Sequence, residues 1–193
     1  MPTFSPASTV DRDLFELMVL DASKSSTPRY ICDVSTSASN FDRYCDEGRA
    51  RAAANAAMRG ARWHAGDQNT PGHALTVDEL GRVGEGAIEE LLGIDVAAVL
   101  TDATDARPDR TVAGVRFDVK TADVRPGNSF AVPVWRVDGR DYDALLLVQH
   151  VEPGLARVWC CKSEAAGAAW TKRPGVRGKG DFYRIECPTP AAM

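Results

Sequence analysis

The residues best suited to chemistry lie in the segment ARPDRTVAGVRFDVKTAD, positions 106–123, which gathers two carboxylates and a lysine in one short stretch. A turn at Ala113-Gly114 sets Val112 opposite Val115, Thr111 opposite Arg116, Arg110 opposite Phe117 and Asp109 opposite Asp118. Strand alternation puts Val115, Phe117 and Val119 on one face and Arg116, Asp118 and Lys120 on the other, so Lys120 shares a face with the acidic pair. Opposed carboxylates have Cβ atoms roughly 5 Å apart, and in partly desolvated surroundings their repulsion reaches a few kcal/mol. A divalent cation offsets that repulsion: hard oxygen ligands suit Mg²⁺ or Mn²⁺, and such an ion also binds a phosphate oxygen. On this reading Asp109 and Asp118 ligate the metal, the Val119 carbonyl contributes, and Lys120 positions or activates a water. Phosphodiester hydrolysis is the chemistry served, since it needs a nucleophilic water, charge stabilisation on the phosphoryl oxygens and help for the leaving oxygen. Asp102 or Asp105 competes with Asp109 for the ligand place. As an ordinary strand edge, Asp118 and Lys120 would be mixed charges that deter aggregation.

Glu85 is the expected fourth member, on the helix before the hairpin and at the flank of its apolar stripe, with Glu89 as the competing choice. Gly84 and Gly86 on either side each cost a helix roughly 1 kcal/mol relative to alanine, which fits a close approach of backbone or ligand. Pro108-Asp109, eight intervening residues, then Asp118-Val119-Lys120 resembles the PD-(D/E)XK nuclease signature, with Glu85 upstream as that family's pattern often requires. The resemblance covers about residues 76–151, and small phage and bacterial DNA nucleases are the most similar members. It implies a restriction-endonuclease-like αβββαβ core, divalent-metal dependence and phosphodiester cleavage, with Asp109, Asp118 and Lys120 matching the motif. That core has a helix between the DVK strand and the ALLLV strand, where RPGNSFAVPVWRVDGRDYD here reads as loop and strand.

Other polar groups carry less. His64 and His73 flank a loop containing Gly and Pro, but two histidines and Asp67 without a supporting Cys or His pattern do not make a zinc site. Lys172, Arg173, Arg177 and Lys179 lie in TKRPGVRGKG, a basic loop suited to following a phosphate backbone and equally suited to plain surface. Arg43, Arg49, Arg51, Arg59 and Arg62 do not fall on one clean helix face, and Trp63, Trp135, Trp159 and Trp170 read as core or interface.

These groups need a frame. With 193 residues, 44% of them hydrophobic, the chain can bury one main core. Strand-like runs at Leu14 to Leu20 and Tyr30 to Val34, separated by DASKSSTPR, predict an N-terminal hairpin. A helix follows from about Phe41 to about Met58, and a second starts at the capping box of Thr76 and Glu79. Its apolar positions are Leu80, Val83, Ala87, Ile88, Leu91 and Leu92, and Gly93 ends it. Strands are expected near Val96 to Leu100 and at Val115 to Thr121, Phe130 to Val137, Ala144 to Val151, Leu155 to Cys161 and Phe182 to Glu186. SEAAGAAW reads as a short helix capped by Ser163. The unbroken apolar run ALLLV fits a strand covered on both faces, with helices on at least one side. The class is α+β: a mixed central sheet flanked by helices, in a single domain over 1–193. Within it, 1–75 is a hairpin-and-helix extension, 76–151 the catalytic core, and 152–193 the C-terminal strands and basic loop.

Five cysteines without CxxC spacing, Cys160 and Cys161 adjacent, read as reduced thiols. A net charge of −4 gives no global attraction to nucleic acid, so binding of DNA, the expected partner ahead of RNA, must use local basic surface. No run approaches the roughly 18 to 20 apolar residues that span a bilayer, and MPTFSPASTVDRD has no signal-like pattern. A soluble cytoplasmic protein without a membrane partner is expected.

Overall fold

Leu145, Leu146, Leu147 and Val148 are each fully buried, although a strand turns successive side chains to opposite faces. The strand that holds them is therefore covered twice. The computed structural model describes residues 10–59, 75–93, 110–123, 129–134, 137–138, 142–175 and 180–190. Its elements are, in chain order, α1 (Arg12–Ala22), β1 (Arg29–Ser35), α2 (Ala38–Arg59), α3 (Val77–Leu92), β2 (Arg110–Val112), β3 (Val115–Asp123), β4 (Ser129–Pro133), β5 (Ala144–Glu152), β6 (Leu155–Lys162), β7 (Trp170–Arg173) and β8 (Phe182–Glu186).

Five strands form a mixed sheet in the order β1-β6-β5-β3-β2, and three more form a second sheet in the order β4-β8-β7. Among the described strands only β3 and β5 pair in parallel, and the other pairs are antiparallel. One face of the large sheet carries Phe117, Val119, Leu146, Val148, Val158 and Cys160, which pack against Phe15 and Val19 of α1 and Ala87, Ile88 and Leu92 of α3. The other face carries Leu145, Leu147, Trp159 and Cys161, which pack against Phe130, Val132, Trp170 and Ile185 of the second sheet. The fold class is α+β, as the residue pattern predicts, but helices cover one face and a sheet covers the other.

Two expected elements are corrected. The run Leu14 to Leu20 is not a strand of an N-terminal hairpin but part of helix α1, whose buried residues Phe15, Val19 and Ala22 follow helical spacing. Asp11 caps it by accepting from the Asp13 N–H at 3.3 Å. β1 pairs with β6 instead, Val34 opposite Ala156. SEAAGAAW is a set of turns rather than a helix. Gly167 has φ +83°, a left-handed conformation that breaks helical continuity, and Trp170 already belongs to β7. The expected strand near residues 96–100 lies outside the described residues. No described helix is long and apolar enough to cross a membrane. All five cysteines are buried free thiols, and burial pushes Cys32 and Cys161 up to about 12.

Helix α3 follows its local code. The capping box forms as expected, with the Thr76 N–H on Glu79 at 2.8 Å, and Gly93 ends the helix at φ +63°. Gly84 and Gly86 are explained by packing. A Cβ at Gly84 would lie 1.9 Å from Thr121 Oγ1, and one at Gly86 would lie 2.5 Å from the Tyr44 ring. Between α2 and α3 sits Arg82, only 3% exposed, donating to Glu47 at 2.7 Å and to the fully buried Glu89 at 2.8 Å, with its guanidinium 4.8 Å from the Tyr44 ring.

Removing Arg82 leaves Glu89 charged and enclosed, so Arg82→Met should lower the urea-unfolding free energy by about 3–5 kcal/mol. Gly81→Ala, where nothing lies within 4 Å of the new methyl, should raise it by about 0.5–1 kcal/mol. Burial pushes the Glu79 carboxyl up, but the Thr76 main chain and hydroxyl and the Arg49 guanidinium outweigh it and hold the group below 4.5. A depressed folded value stabilises above the unfolded one and loses that effect as pH falls. The stability margin of the wild type over Glu79→Gln should therefore shrink as pH drops below 4.5.

Candidate active site on strand β3

The hairpin forms in the expected register, with Val112 opposite Val115, Thr111 opposite Arg116 and Arg110 opposite Phe117. Ala113 and Gly114 have φ of 47° and 81°, as a two-residue type I′ turn requires. Asp109 lies outside the described residues, as do Asp102 and Asp105.

Alternation along β3 sends Phe117 and Val119 under the helices and turns Asp118 and Lys120 to the face shared with Leu145 and Leu147. Asp118 is 4% exposed, and its Oδ2 is ion-paired with Lys120 Nζ. Lys120 Nζ also donates to the Val119 carbonyl at 3.3 Å. Val112 and Val115 flank the turn and exchange main-chain hydrogen bonds, so alternation turns the main-chain groups of Val119 toward the β2 edge. Besides the ionic contact, the enclosed Asp118 Oδ2 has no hydrogen bond of good geometry among the described residues.

A carboxylate and a carbonyl are hard donors, which suit Mg²⁺ or Mn²⁺ by type, and Mg²⁺ is commonly held by one or two carboxylates with several waters. Among the described residues no group of three or more His, Cys, Asp or Glu could hold a metal. Among the described residues the charge that balances Asp118 is the ammonium of Lys120.

Glu85 is placed elsewhere. It accepts from Arg51 at 3.0 and 2.9 Å and lies 3.8 Å from Arg82, in the seam between α2 and α3. Glu89, its competitor, is bound to Arg82 in that seam. Helix α3 covers the Phe117, Val119 and Thr121 face of β3, opposite the face of Asp118 and Lys120. Of the expected basic group, Lys172 and Arg173 lie on β7, where Lys172 is 3.5 Å from Asp181. Arg177 and Lys179 lie outside the described residues. Within the second sheet β4 packs nearest β3 and β7 is the far edge strand, so two strand spacings of about 5 Å each separate the basic pair from β4.

One constellation escaped the sequence reading. Parallel pairing sets Asp123 beside His150 at the carboxyl ends of β3 and β5, with Asp123 Oδ1 3.5 Å from His150 Nδ1. The His150 ring stacks on Phe41 at 5.7 Å, and its Nε2 is enclosed without a partner among the described residues. It lines a narrow cleft with Thr36, Val83, Ala87 and Gly154. The available signal was QHV at the end of the ALLLV strand, with Asp123 ending its parallel neighbour.

Comparison of the chain with protein-family models, with curated proteins and with solved structures finds no match. The functional reading rests on the residues themselves.

A buried polar atom without a partner costs about 1–3 kcal/mol. His150→Leu should therefore raise thermal stability by about 1 kcal/mol, or about 2–4 °C in Tm, in a calorimetric comparison with the wild type.

Proposed function

We propose that this protein is a Mg²⁺- or Mn²⁺-dependent nuclease that hydrolyses phosphodiester bonds, of DNA rather than RNA, on a PD-(D/E)XK-type core. The observation that carries the reading is Asp118 and Lys120 held side by side on β3, ion-paired and next to the Val119 carbonyl at the hairpin edge. The order of α3, the β2–β3 hairpin and a later strand β5 parallel to β3 supports part of an αβββαβ core; the helix that such a core has between those two strands is not among the described residues. The described part of the crossover between β3 and β5 is β4, with Val134, Val137, Asp138, Tyr142 and Asp143.

Asp118, the Val119 carbonyl and, by register, Asp109 would hold the ion. When bound, a divalent ion supplies Lewis acidity toward a phosphoryl oxygen and a more acidic water. Asp118 fixes the ion's place because its strand is packed on both faces, and Lys120 brings a positive charge and a donor to the phosphate or the attacking water. Lys172 and Arg173 on β7 would take the phosphate backbone at a distance from the cleavage point, with Arg177 and Lys179 the further basic residues of that segment in sequence. Five buried free thiols fit a reducing compartment such as the cytoplasm.

One observation favours a second reading. Lys120 already neutralises Asp118, as it would in a non-catalytic nucleic-acid- or protein-binding module that keeps the scaffold. Purified protein with Mg²⁺ or Mn²⁺ should cleave at least one of linear, circular, single-stranded or branched DNA. Asp118→Asn and Lys120→Ala should each lower the rate by about 10²-fold or more while circular dichroism shows a folded chain. If the wild type leaves every DNA and RNA substrate intact, the nuclease reading fails, and binding that survives both substitutions supports the module.

A further inference from the structure

We infer that Lys120 occupies the cation position between the Asp118 carboxylate and the Val119 carbonyl, so that a divalent ion enters only by displacing its ammonium. Binding of the ion and release of the lysine are then one event. The inference rests on the nuclease reading of the site and adds a control to it.

Three observations lead here. First, Lys120 Nζ touches the same two oxygens that the motif assigns to a metal, Asp118 Oδ2 by ion pair and the Val119 carbonyl at 3.3 Å. Second, there is little room for two cations, because the Asp118 side chain is 6% exposed and that of Lys120 19%. Two positive charges on one enclosed carboxylate repel strongly where water does not screen them. Third, no other described group stands ready to replace the lysine. Asp118 Oδ2 has no further hydrogen bond among the described residues. Arg116, the next cation on the same face, donates to Asp143 at 3.1 and 3.0 Å.

Asp118 is fixed by a strand packed on both faces, whereas Lys120 has a long flexible stem, so the lysine is the partner that moves. Released, its ammonium stays on the face where the ion would present a phosphate. Without the ion it is tied to Asp118 and is not offered to substrate. The lysine thus keeps an enclosed carboxylate neutral before the ion arrives and becomes available only afterwards.

The test uses the wild-type chain and reads lysine chemistry rather than cleavage. Reductive methylation with formaldehyde and borohydride, followed by peptide mass spectrometry, should modify Lys120 slowly without metal and severalfold faster with saturating Mn²⁺. Lys24 and Lys162 should react alike in both conditions and serve as internal controls. In parallel, Mn²⁺ affinity measured by electron paramagnetic resonance should rise about tenfold in Lys120→Met, equivalent to 1.4 kcal/mol, and vanish in Asp118→Asn. Mn²⁺ that binds the wild type through Asp118 without changing Lys120 labelling overturns the displacement and leaves the metal reading standing. Absence of Mn²⁺ binding in both wild type and Lys120→Met removes the metal reading and the displacement with it. If Lys120→Met does not fold, because Asp118 is buried without its counter-charge, the labelling of the wild type is sufficient to decide.

Discussion

The double covering of β5 is the constraint from which the rest of the architecture follows. Leu145 through Val148 leave water together, and burial of each such side chain is worth about 1.5–3 kcal/mol, so neither face of the strand can remain open. Helices α1 and α3 close one side, and the β4-β8-β7 sheet closes the other. β3, the parallel neighbour, inherits the same two covers: Phe117 and Val119 turn under the helices, and Asp118 and Lys120 turn to the remaining face. A carboxylate thus sits where the architecture otherwise puts apolar groups, and the adjacent ammonium offsets much of the cost of enclosing it.

Buried charge is handled differently in two parts of the molecule. Between α2 and α3, Arg82 has carboxylates on both helices and an aromatic face beneath it. Loss of any one contact leaves others in place. On β3, Asp118 has Lys120 as its ionic partner among the described residues, two positions away on the same strand. The first arrangement locks two helices together. The second can be undone by moving one side chain, which suits a place where a ligand has to enter. Glu85 belongs to the first group.

The parts of the fold that were legible in the sequence are those governed by local chemistry. Ala113-Gly114 specifies its turn, Thr76 and Glu79 specify a helix start, and four successive apolar residues specify a doubly covered strand. Less was legible where partners distant in sequence decide. LFELMVL is apolar at neighbouring positions and suits strand or helix; burial of Phe15 and Val19 against the sheet and the cap from Asp11 settle it as helix. Which way Glu85 faces depends on the rotation of α3, set by Tyr44 filling the space left at Gly86 and by Arg51 across the seam. The second sheet was hidden because β4 and β8 are short and meet only through tertiary packing. Asp123 and His150, 27 positions apart, become neighbours only because β3 and β5 run in parallel.

The pairing of β1 with β6 also sets a schedule for synthesis. Asp33 and its cross-strand ion-pair partner Arg157 are separated by 124 positions, so β1 emerges from the ribosome long before β6, its sheet neighbour among the described strands, exists. At translation speeds of about 5–20 residues per second the delay is roughly 6–25 s. Throughout that interval Ile31, Cys32 and Val34, which end in the core, have no strand to lie against. The β1 edge of the large sheet closes only once β6, Leu155–Lys162, has been made, so three core residues near the start of the chain wait on a segment near its end.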